Sequence, residues 1–182
     1  MTNFPVHTLD SAPETSRQAL QSLQAAFGMI PNIAGAMATS PVLINSLVGI
    51  FGKVHGGSFT EPQIQAVLLT DAVANACTWA VAFHTALALK AGVKSVDVQA
   101  IRESRLPEDG KLAALSALAR KMIETRGRVA DPDIDLFIAA GFAKEHALEV
   151  IAIVAASTIT NYTGSVTKTP LEAAFQEHAW AG

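Results

Sequence analysis

Apolar residues recur at spacings of three and four along nearly the whole chain, while runs alternating with period two are missing, so the pattern predicts an all-α fold. A first helix is expected from Thr15 to Phe27, with Leu20, Leu23 and Phe27 on one stripe and Gly28 as its stop. Pro31 and Pro41 fit the first turns of two further helices, the second capped by Ser40 and broken at Gly56-Gly57. Thr60 followed by Gln63 resembles a capping box and opens a helix over Glu61 to Ala74. Asn75 interrupts the chain, and the next helix is expected from Cys77 to Ala91, ending at Gly92. Further helices are expected at Ser95 to Glu103, Glu108 to Thr125, Asp131 to Ala140 and Lys144 to Tyr162. A turn at Gly164 and a short tail helix from Pro170 complete the set. No linker divides the chain, so one domain is expected over residues 1–182, with 1–57 a helical extension packed on a 58–175 core.

Composition narrows the function classes. Half of the residues are apolar and only 16% are charged, a lean surface that predicts a homo-oligomer. The net charge of −3 includes no basic stripe, so no nucleic-acid partner is expected. A single cysteine excludes an intrachain disulfide and fits a reducing cytoplasm. The N-terminus lacks a basic region followed by an apolar run, and the apolar stretch from Val150 to Ile159 is about half of a bilayer span, so no membrane association is expected. The remaining histidines, His7, His55, His146 and His178, form no short metal-ligand spacing, and phosphate-binding and GxSxG motifs are absent, so no metal or cofactor is expected.

The candidate chemistry lies in NACTWAVAFHTALALKAG, residues 75–92. Cys77 and His84 fall on similar sides of one helix about 10 Å apart along its axis, too far for a direct hydrogen bond but able to line one cleft. The residues alone leave two readings open. A thiol in the first turn has its thiolate stabilised by free N–H groups and the helix dipole, whereas a lone cysteine among Ala, Val and Trp is more simply a small core residue. Trp79 and Phe83 read either as core or as the wall of a site for an apolar hydroperoxide or aromatic acid. Asn75 reads as a cap or a ligand contact.

This stretch resembles the core of the alkylhydroperoxidase D (AhpD) and carboxymuconolactone decarboxylase family, whose redox-active members carry Cys-x-x-Cys-x-x-x-His. FGMIPNIAGAMATSPVL from Phe27, the helix entry at Phe59 to Gln65, TRGRVADPDID from Thr125 and NYTGSVTKTPLEAAF from Asn161 resemble its peroxidase-related branch. The resemblance spans roughly Phe27 to Phe175 and implies an AhpD-like helical bundle. It also implies a hydroperoxide substrate, an external thiol reductant and assembly as a dimer, trimer or hexamer. Cys77 corresponds to the first cysteine and His84 to the histidine, while Ala80 stands where the second cysteine would be. Gln65 replaces the proton-relay glutamate, and Trp79 a histidine found in some members. Gly164 and Ser165 stand where related sequences often place Asn and His.

Ala80 cannot react with peroxide, and Gln65 hydrogen-bonds without shuttling a proton near neutral pH. Glu61, one turn before Gln65, and Asp71 could replace the relay only if folding brought them into the cleft; both are expected to be solvated. Three readings follow: a one-cysteine peroxidase using Cys77 with His84 as auxiliary, a lactone decarboxylase lacking an arginine near Cys77 in sequence, and a non-catalytic oligomer that binds an apolar ligand.

Overall fold

The computed structural model describes residues 4–182. Among the described residues nine α-helices lie in chain order and there is no strand. Helix α1 spans Glu14–Phe27 and ends at Gly28, which adopts the left-handed conformation at φ 76°. Helix α2 covers Asn32–Met37, and α3 covers Pro41–Val54, with the Ser40 hydroxyl accepting the Leu43 N–H. Helix α4 spans Glu61–Ala74, its start fixed by the Gln63 side chain accepting the Thr60 N–H.

Helices α5 (Thr78–Lys90), α6 (Ser95–Arg102), α7 (Gly110–Glu124) and α8 (Asp131–Ala139) follow. Helix α9, Lys144–Thr167, runs past the turn expected at Gly164. The tail forms a 3₁₀ segment over Ala173–His178, later than the expected start at Pro170.

Helix α4 is the hub, packed against α5, α7, α9 and α6. Its residues from Ile64 to Val73 are all buried, because neighbours cover it on every side. That burial corrects the expectation for Asp71, which is 0% exposed and faces α9 rather than water. One apolar cluster joins α1, α2, α3, α4 and α5, including Leu20, Leu69, Trp79 and Phe83. A second joins α4, α7, α8 and α9, including Leu68, Leu115, Phe137 and Ile153. Helix α9 has the length and hydropathy of a membrane span, yet 44% of its most apolar window is buried inside the bundle.

The tail is clamped onto the bundle. Arg102 donates to Thr85 Oγ1 and to the carbonyls of His178 and Ala179, and the Trp180 indole donates back to the Arg102 carbonyl. Glu172 accepts the Asn32 N–H at the start of α2 through one oxygen and the Trp79 indole N–H through the other. These bonds bring Phe175 edge-on against Phe83, with ring centroids 5.2 Å apart.

Candidate functional site

Cys77 occupies the junction of two helices. Helix α4 closes with a Schellman arrangement: Ala76 N–H bonds the Val73 carbonyl and Cys77 N–H bonds the Ala72 carbonyl. This turn requires a left-handed residue at position 76, and the chain places Ala76 there at φ 50°, a conformation that strains a residue with a Cβ. The backbone then swings into the extended conformation, making Cys77 the N-cap of α5. The expected start of that helix therefore moves by one residue, and the thiol sits at the N-cap without a side-chain capping hydrogen bond. The backbone N–H groups of Ala80 and Trp79 point at Sγ and favour the thiolate. Desolvation outweighs them and raises the thiol above its ordinary pKa.

The thiol is 2% exposed, but it borders a cleft of about 250 Å³ lined by Ala76, Thr78, Trp79, Ser165, Lys168 and Thr169. Gly164 explains how sulfur reaches this cleft. A Cβ at position 164 would lie 2.8 Å from Sγ, inside van der Waals contact, so only glycine lets α9 pass so close to the thiol. Ser165 lies on the cleft and donates to the Asn161 carbonyl.

His84 lies in the middle of α5, nearly two turns beyond Cys77, 3% exposed and in a different environment. Its Nδ1 is 3.0 Å from Gln65 Oε1, Gln65 Nε2 is 2.7 Å from Glu61 Oε1, and His55 Nδ1 is 2.9 Å from Glu61 Oε2. Burial, with the nearby His55 charge, lowers His84 to about 3, so its ring is neutral near pH 7. Glu61, expected to be solvated, is half-exposed and anchors this chain. His84 borders a small chamber with Phe27, Phe51, Trp79, Phe83 and Thr160. Glu61, Gln65 and His55 border a wider opening of about 410 Å³ with Phe27, Phe83, Lys90 and Phe175.

Cys77 and His84 thus line separate cavities, and Trp79 is the side chain common to both. The Trp79 and Phe83 rings stack 4.8 Å apart. Ala80, one turn before His84 on α5, is completely buried, so no thiol stands at that position. Asn75 turns its amide to the Asp71 carbonyl as a cap. Asp71 stays within the α4–α9 interface beside Ser157 and is held well above the usual carboxylate range by burial. The roles that sequence reasoning overlooked are those of Glu172, which fixes Trp79 from the tail 93 residues away, and of His55, which braces Glu61 across the turn between α3 and α4; helical spacing encodes neither. Among the described residues no three His, Cys, Asp or Glu side chains converge as a metal site.

Solved structures share this architecture. A peroxidase-related protein with an alkylhydroperoxidase AhpD core from Ralstonia eutropha JMP134 superimposes with a TM-score of 0.83 at 20% identity, over 95% of this chain and 93% of that one. A cysteine-to-alanine variant of the debrominase Bmp8 in complex with 2,3,4-tribromopyrrole gives 0.82 at 18% identity, over 98% and 96%. A peroxidase-related protein from Silicibacter sp. TM1040 gives 0.76 at 18%, over 96% and 92%. No family model and no curated protein sequence matches the chain. The chain therefore has the AhpD-like helical fold.

Proposed function

We propose that the protein is a one-cysteine thiol oxidoreductase that reduces hydroperoxides. The observation that carries this reading is the placement of Cys77 as the N-cap of α5, its sulfur facing the Trp79 and Ala80 N–H groups and opening beside Gly164 onto a cleft. In the reaction, the thiolate attacks the outer oxygen of ROOH. The S–O bond forms as the O–O bond breaks, so sulfur becomes a sulfenic acid and the peroxide leaves as an alcohol that takes up a proton from solvent. An external thiol condenses with the sulfenic acid and releases water; a second displaces Cys77 and leaves as a disulfide.

No second cysteine is needed, and a reducing compartment supplies the thiol. The raised thiol pKa makes this a slow enzyme at neutral pH that speeds up with alkalinity. The test is consumption of cumene hydroperoxide with dithiothreitol as reductant. Turnover that disappears in Cys77→Ala supports the reading; equal consumption by both proteins removes it.

The exposed face of α9 completes the reading. Leu148, Ile151, Tyr162 and Val166 lie along one stripe and expose on the order of 500 Å² of apolar surface, the scale of an interaction patch. Glu149 is turned to Ser58, leaving the stripe uncharged. A second copy of the chain covers it in this account, and light scattering that finds only monomer at micromolar concentration would refute that part.

A further inference from the structure

The hydrogen bonds around His84 have a direction, and that direction sets which ring nitrogen carries the proton. A carboxylate accepts and does not donate, so the Gln65 group 2.7 Å from Glu61 Oε1 is its NH₂. The Gln65 carbonyl therefore faces His84, and the partner 3.0 Å away is an Nδ1–H. A neutral imidazole protonated at Nδ1 holds a lone pair at Nε2. Among the described residues, no protein group hydrogen-bonds that nitrogen.

Among the described residues, the chamber beside the ring supplies no free donor. Its walls are Leu23, Phe27, Ile33, Leu47, Phe51 and their neighbours. The two polar wall groups are engaged elsewhere: the Trp79 indole N–H bonds Glu172, and the Thr160 hydroxyl bonds the Ala156 carbonyl. The free volume is about 30 Å³, room for the head of a molecule rather than its body. A lone water would find a single strong acceptor there, fewer than the two to four partners that hold a buried water. A hydroxyl or N–H on an apolar body fits better, its head against the imidazole and its body among the half-buried rings of Phe27 and Phe51.

We infer that His84 Nε2 is the hydrogen-bond acceptor of a binding site for apolar molecules carrying one O–H or N–H donor, with Gln65 and Glu61 as positioning residues that hold the tautomer. The site is separate from the thiol cleft, with the Trp79 side chain as the wall between them. It discriminates donors from isosteres that lack the hydrogen, because an unmatched lone pair in an apolar chamber penalises the latter.

The test uses protein labelled with ¹⁵N-histidine and the probes phenol and anisole, which differ in the donor hydrogen. His84 is expected as a fixed Nδ1–H tautomer from about pH 5 to pH 8, with its Nε2 resonance moving on addition of phenol and not of anisole. Phenol is expected to bind about tenfold more tightly than anisole. In Glu61→Gln, a half-exposed substitution compatible with folding, the Gln65 amide loses its fixed direction. The tautomers then mix and the phenol preference shrinks towards one. An Nε2–H tautomer in the natural protein overturns the inference. So do equal responses to the two probes, no response to either, or a Glu61→Gln variant with unchanged tautomer and preference.

Discussion

The start and the middle of one helix solve the problem of a buried reactive group differently. At its start, α5 offers Cys77 two backbone N–H groups, but the apolar surroundings prevail and the thiol stays protonated more firmly than in water. Further along, His84 is buried as deeply, yet a directed chain to Glu61 orients its proton and its lone pair without charging it. Backbone donors alone leave a nucleophile restrained by burial, whereas a side-chain relay to the surface fixes what a buried base presents.

The largest test of this contrast is acid. His84 is neutral in the folded protein down to about pH 3, while in the unfolded chain it takes a proton near its ordinary value. The unfolded state gains protons first as pH falls, so stability drops from about pH 6.5 to pH 3, by on the order of 5 kcal/mol from this residue. Asp71 works in the opposite sense: it stays protonated in the fold while the unfolded carboxyl ionises, so its cost grows as pH rises above its ordinary value. Denaturant melts of Asp71→Asn should therefore show a steeper net acid loss than the natural protein. A flat profile in that variant would mean that His84 is not buried neutral.

Next comes Gly164→Ala. Overpacking against Sγ costs about 1–3 kcal/mol and exceeds the roughly 1 kcal/mol that alanine contributes in a helix. Combined with Cys77→Ala the same change becomes stabilising by about 0.5–1 kcal/mol, and a double-mutant cycle measures the coupling. Ala76→Gly is smaller: relief of the left-handed strain beside the thiol raises stability by about 1 kcal/mol in thermal melts. The smallest is Glu61→Gln, a half-exposed position where stability changes by less than about 1 kcal/mol while the His84 tautomer loses its fixed direction.

Much of the fold is legible in local patterns. Ser40, Gln63, Gly28 and Gly92 end or begin helices where spacing and cap chemistry place them, because those signals act within a few residues. Gly164 is different: as a glycine it reads as a turn, but in the folded chain it is a gap in α9 that admits the Cys77 sulfur. Asp71 reads as solvated because a charge belongs in water, and only the covering of α4 by α9 shows otherwise. Likewise Gln65 and His84 can be paired by their resemblance to a relay, but the direction of the bond depends on Glu61 and on atomic placement that spacing does not carry.

The measurement that bears most directly on the account is trapping of a sulfenic acid at Cys77 by intact-protein mass spectrometry after hydrogen peroxide, over a series of pH values. The account predicts one trapped adduct per chain, formed faster as pH rises through neutrality and absent from Cys77→Ala. A folded protein whose Cys77 remains reduced at every pH, while free cysteine in the same solution is oxidised, would contradict it.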